Sequence, residues 1–291
     1  MIRLDPKDTD AYNDRCFAHI KNGENDLALP DCNEAIRLDP KDAVAYSNRG
    51  IAYRAKGDND RAIADYNEAI RLDRKAAPPY NNRGNAYKAK GDYDTAISDY
   101  TEAIRLDPKY ITAYNNRGAA YARDGKFDRA IADYSEVIKI DPKSAAAYFN
   151  RGRADLYSGA LPKAVADLNA ASELDPKDPY WLDIVNKRSS LPSRLPEAAK
   201  QIDMTKWPAP IIRLYLGQSI AEAGFQEHEP DDNTEIAHIC EGDFFRAELI
   251  FQRGDKDKAA ALFRAAAVVC PPNYVEHEGA VAELKGLGPT R

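Results

Sequence analysis

The sequence predicts an all-α solenoid, in which helical hairpins stack into a right-handed superhelix and a divergent helical module follows. Three observations carry this. A 34-residue period runs through five copies without insertion or deletion. Within each period, apolar and small residues recur in two runs at the i, i+3, i+4, i+7 spacing of a helix face. Each run closes on a helix-breaking signal, glycine after the first and Asp-Pro (or its remnant) after the second.

Three ladders define the period. Asp5, Asp39, Asp73, Asp107, Asp141 and Asp175 stand 34 residues apart, as do Tyr12, Tyr46, Tyr80, Tyr114 and Tyr148, and Gly23, Gly57, Gly91, Gly125 and Gly159. In the second copy Tyr46, Arg49, Gly50 and Tyr53 share one helical face, and Lys56-Gly57-Asp58 ends that helix. Asp58 to Asp60 then offer N-cap side chains to a second helix, which turns Ala62, Ile63, Tyr66, Ala69 and Ile70 inward. Gly50 with Ala62, Gly84 with Ala96, Gly118 with Ala130 and Gly152 with Ala164 mark a close approach of paired helices, with tyrosines expected to fill the gaps between pairs. One hairpin cannot bury its apolar faces alone, so the copies must stack.

The copies occupy 9–42, 43–76, 77–110, 111–144 and 145–178, and residues 1–8 read as the tail of a truncated upstream repeat. The register fails after Asp178. Residues 179–239 form a degenerate connector punctuated by Pro192, Pro196, Pro208 and Pro210, with short helices expected at 197–204 and 211–218 and an acidic loop at 226–234. A divergent copy spans 240–273, because Gly254-Asp255-Lys256-Asp257-Lys258-Ala259 mirrors Gly91-Asp92-Tyr93-Asp94-Thr95-Ala96. Residues 274–291 supply the capping helix and tail that a terminal repeat needs.

The 34-residue pattern resembles the tetratricopeptide repeat (TPR) family, on Tyr114, Gly118, Tyr121, Gly125, Ala130, Tyr134 and Pro142. It implies a non-enzymatic interaction scaffold that works through its concave face. The stretch KWPAPIIRLYLGQ and the helix GDKDKAAALFRAA resemble periplasmic lipoprotein NlpI-type TPR adaptors, which implies a cell-envelope setting, although the lipidated cysteine of that family is absent.

Charge narrows the partners. The net charge of −6 argues against a general nucleic-acid binder, which needs a concentrated basic surface. Residues 190–291 are the acidic part, with 11 Lys and Arg against 16 Asp and Glu. Cys240 opens the first helix of the divergent hairpin and Cys270 closes the second; antiparallel helices bring those two ends together, and the envelope resemblance supports a disulfide between them. Cys16 and Cys32 replace the glycine and the second-helix tyrosine of the first copy; they are read as core fillers, with a bridge between them left open.

The candidate site is a ladder on the first helices. Asn48, Asn82, Asn116 and Asn150 recur two residues after each tyrosine, and Asn81 and Asn115 double the theme. An amide both donates and accepts, so such a ladder suits the backbone of an extended peptide. Asn85, Arg54, Lys88, Arg123 and Arg153 would make the groove mildly basic and favour an acidic or C-terminal segment. Val44, Pro78, Thr112 and Ala146 occupy the positions where chaperone-binding TPR proteins carry a clamp lysine, so no chaperone carboxylate clamp is expected. Arg15, Arg49, Arg83, Arg117 and Arg151 each precede an aspartate by 16 residues and read as exposed ion pairs that orient the hairpins. No cofactor or catalytic motif is present. Two alternatives stand: self-association through the convex face or C-terminal module, and, more remotely, a metal-dependent site around His228, His238 and His277 with Glu227, Glu229, Glu276 and Glu278.

Overall fold

The computed structural model describes residues 8–175, 179–201, 204–205, 208–218, 233–271 and 274–287, and every regular element among them is helical. Helix α1 (Thr9–Lys21) pairs with α2 (Asn25–Leu38), α3 (Ala43–Ala55) with α4 (Asn59–Leu72), and α5 (Ala77–Ala89) with α6 (Tyr93–Leu106). Then come α7 (Ile111–Arg123), α8 (Phe127–Ile140) and the pair α9 (Ala145–Tyr157) and α10 (Leu161–Leu174). After them come α11 (Pro179–Arg188), α12 (Leu195–Ala198) with a 3-10 turn (Ala199–Gln201), α13 (Ala209–Tyr215), α14 (Asn233–Gln252), α15 (Lys256–Val269) and α16 (Val275–Leu287).

Local chemistry sets the ends. The Asp58, Asp92 and Asp255 carboxylates accept from the backbone N–H three residues on, at 3.1 Å each, satisfying an amide that the first turn leaves open. Gly57 and Gly91 close the first helices at φ +81° and +82°, which side chains strongly disfavour. Asp39, Asp73 and Asp107 accept from the N–H two residues on at 2.9 Å, locking the Asp-x-Lys corner between hairpins.

The connector departs from the sequence reading in detail. Helix α12 opens at Leu195, two residues before the expected start, because Pro196 fits a first helical turn. Helix α13 stops at Tyr215, and Gly217 at φ +100° turns the chain away. Asn233 and Thr234, read as the end of an acidic loop, begin α14; residues 226–232 lie outside the described ones.

The helices fall into two compact units, residues 1–121 and 122–291. In the first, the helices stack in sequence order, α2 on α3 and α4 on α5, around small alanine-rich cores such as Ala62, Tyr66 and Ala86. The second is built differently. Trp181 is buried within 5.4–6.5 Å of the rings of Phe149, Tyr157, Phe244 and Phe245, in one continuous core from α9 to α16.

Tyrosines of the second helices pack against the next hairpin, as expected from sequence, Tyr66 on Ala86 and Tyr100 on Ala120, and they also fill space inside their own hairpin. A Cβ on Gly50 would meet the Tyr66 ring at 2.7 Å, and one on Gly84 would meet Tyr100 at 2.7 Å. In the fifth copy Leu168 takes the ring's place, 2.9 Å from a Cβ on Gly152. In the first copy Cys16 and Cys32 are buried in the core, as expected, and the bridge left open by the sequence is present, with Cα atoms 5.5 Å apart. They occupy the glycine and tyrosine positions, so removing the ring makes room for a Cβ and leaves two sulfurs facing. Cys240 and Cys270 are bonded as well, with Cα atoms 4.8 Å apart.

Adding a methyl group at the contact is therefore costly. Gly84→Ala should lower stability by about 1–3 kcal/mol through overpacking against Tyr100. Urea denaturation measures this, and a midpoint equal to wild type would contradict the packing described.

Candidate functional site

The recurring arginines build a node that fixes where the candidate residues stand. Arg83 donates through Nε and Nη2 to both oxygens of Asp99 (2.8 and 2.6 Å) and through Nη1 to Asn67 Oδ1 (2.6 Å). Arg49 does the same with Asp65 (2.9 and 2.7 Å) and Asn33 (2.8 Å). In the second unit Arg151 binds Asp167 (2.6 and 2.8 Å) and Ser135 (3.0 Å). Each guanidinium also lies over the tyrosine three residues before it, 5.5–5.7 Å from the ring centre.

These are not the exposed pairs the sequence suggested. Asp65, Asp99 and Asp167 are buried, and each pair is bidentate. The third bond ties each arginine to the preceding hairpin. Its sequence signal is the polar row Asn33, Asn67, Thr101 and Ser135, always 16 residues before an arginine.

In the first unit the first helices lie side by side, α1 against α3 and α3 against α5. The asparagines join them laterally. Asn48 is buried and donates to Asn13 Oδ1 (2.9 Å), whose own amide donates to Asp42 (2.8 Å). Asn116 donates to Asn81 Oδ1 at 2.9 Å, and Asn81, also buried, leans on Asn82 at 3.4 Å. Asn115 differs: its Oδ1 is buried and has no hydrogen-bond partner among the described residues. Asn85 accepts from the Tyr100 hydroxyl at 2.9 Å. Arg54 is exposed and beside Tyr66, whose phenol burial pushes up to about 12 while the arginine's charge opposes the shift. Lys88 is half-buried and has partners of its own.

In the second unit Asn150 and Arg123 are half-buried. Arg153 is taken by the chain itself. It donates to the Val275 carbonyl (3.0 Å), reaches Glu278 (3.3 Å), and stacks over Trp181 at 4.9 Å. The last helix thus covers the inner face of α9, which no sequence pattern announced. Among the described residues no three His, Cys, Asp or Glu side chains converge on a metal site; His228 lies outside them.

Family profiles for the TPR repeat match residues 50–91 and 84–125, and profiles for the tetratricopeptide repeat match 111–144 and 32–64. Residues 32–144 carry tetratricopeptide repeats. Among solved structures, MamA is 28% identical, over 58% of this chain and 93% of its own, with a TM-score of 0.51. YrrB, a TPR protein with an unusual peptide-binding site, is 23% identical over 60% of this chain and 91% of its own, with a TM-score of 0.50. A TPR protein from Parabacteroides merdae follows 94% of this chain and 98% of its own at 17% identity and a TM-score of 0.59, so the shared fold extends beyond the residues that the TPR profiles match.

The TPR node is testable apart from any ligand. Arg83→Ala leaves the Asp99 carboxylate buried without its cation and should cost about 2–3 kcal/mol, more than an exposed pair contributes. Denaturation of the variant measures it, and a loss under about 0.5 kcal/mol would return the pairs to the surface class.

Proposed function

We propose that the chain is a non-enzymatic adaptor whose TPR repeats receive an extended peptide segment of another protein along the first helices. The observation that carries this reading is the buried Asn115 Oδ1, an acceptor without a donor among the described residues, on a first helix beside Asn116. A buried acceptor left empty costs free energy, and a backbone N–H of a peptide would satisfy it. Arg54 adds an exposed positive charge to the same helices and favours an acidic or C-terminal segment. Asn48 is an inter-helix bond in this reading, and Arg153 serves the C-terminal module.

Both cysteine pairs are bridged, which supports an oxidising compartment and, with the NlpI-type resemblance, a role holding cell-envelope enzymes near their targets. A rival reading, self-association or docking of a folded partner through the C-terminal module, draws on Val268, 84% exposed on α15.

Arrays of extended peptides with and without acidic residues test the adaptor reading. Wild type should retain acidic peptides. Asn82→Ala with Asn115→Ala should weaken the best of them about tenfold, two net hydrogen bonds at about 0.5–1.5 kcal/mol each, while the helical content stays. Equal retention by both proteins would refute the groove and favour the C-terminal module.

A further inference from the structure

The last helix is held by a buried ion triad that the repeat pattern does not require. Arg188, at the end of α11, aims Nη2 at both Glu248 oxygens on α14 (2.6 and 2.9 Å) and at Glu283 Oε1 on α16 (2.7 Å). Glu248 and Glu283 are both buried. Two carboxylates share one guanidinium, so with both ionised the triad keeps an uncompensated negative charge away from water. The other cations nearby are committed, Lys187 to Asp183 at 2.8 Å and Arg153 to Glu278 at 3.3 Å.

The elements packed around Glu248 offer no relief. Helix α9 brings the Tyr157 hydroxyl, buried and without a hydrogen-bond partner among the described residues, and α13 brings Tyr215, which donates to the Phe245 carbonyl at 3.1 Å. Burial raises both phenols far above their ordinary range, so both stay neutral. Burial pushes the Glu248 carboxyl up to about 7, with Arg188 opposing and Glu283 adding to the rise. Helix α16 meanwhile sits tight on this site, since a Cβ on Gly279 would lie 2.5 Å from the Tyr157 hydroxyl and 2.7 Å from the Phe244 ring.

We propose that Arg188, Glu248 and Glu283 form a proton-controlled latch on α16: one proton held between the two carboxylates closes it, and loss of that proton loosens the helix from α9 and α11. Because α16 covers Arg153 and Tyr157, the latch also controls access to the inner face of α9. The direction follows from linkage. Glu248 titrates near 4.5 when solvated and near 7 when latched, so the docked helix holds the proton more tightly between those values. The Glu248 contribution to attachment therefore declines as pH rises through that window and is flat above it.

Hydrogen exchange on the full, oxidised chain reads the latch directly, with intrinsic rates corrected at each pH. In wild type, protection of α16 relative to α10 should fall by up to about tenfold per pH unit between pH 5 and 7, the limit for one proton. Glu248→Gln should abolish that dependence. In Glu283→Gln the window should move to lower pH, because Glu248 then has Arg188 to itself. A wild-type profile without pH dependence, an unchanged slope in Glu248→Gln, an unmoved window in Glu283→Gln, or a loss shared equally by α10 would each overturn the proposal.

Discussion

A Cβ on Gly50 or Gly84 would lie 2.7 Å from a tyrosine ring of the facing helix, and this contact fixes how closely the two helices of a hairpin approach. The ring fills the volume that the missing side chain leaves, so the pair behaves as one unit of packing. Where the ring is absent, the chain fills the same place with Leu168 opposite Gly152, or with two bonded sulfurs at Cys16 and Cys32. Three chemistries serve one spacing.

That spacing lets the arginine node form. With the helices this close, Arg49 and Arg83 reach both oxygens of a buried aspartate on the partner helix and still have a nitrogen left for the preceding hairpin. The node therefore works both within a hairpin and between neighbours, as a solenoid's nearest-neighbour stability requires. Glycine, tyrosine, arginine and aspartate are thereby committed to holding the array. The positions proposed for binding, Asn82, Asn85, Asn115 and Arg54, lie on the first helices outside that node.

The repeats were legible because their packing is local: one glycine, one ring and one ion pair, each at a fixed offset, recur at 34 residues. The positions of Cys16 and Cys32 were legible too, but not their bond, since a linear pattern gives facing positions and no distance. By spacing the Asn ladder forms a single surface, yet Asn48 and Asn81 are buried in bonds to neighbours, a distinction of burial that spacing cannot carry. The C-terminal module was the least legible. Its core joins Trp181 to Phe244, and its triad joins Arg188 to Glu248 and Glu283, residues 60 and 95 positions away, with no repeat to announce them.

The view that one contact sets the hairpin is tested most directly by moving the first copy's solution into the second. Gly50→Cys combined with Tyr66→Cys replaces the ring and its glycine with the pair found at Cys16 and Cys32. Thiol titration of the folded, oxidised double variant should find no free thiol from these two positions, with helical content equal to wild type. Two free thiols in a folded protein would show that positions 50 and 66 do not share the contact, and that the hairpin spacing has another origin.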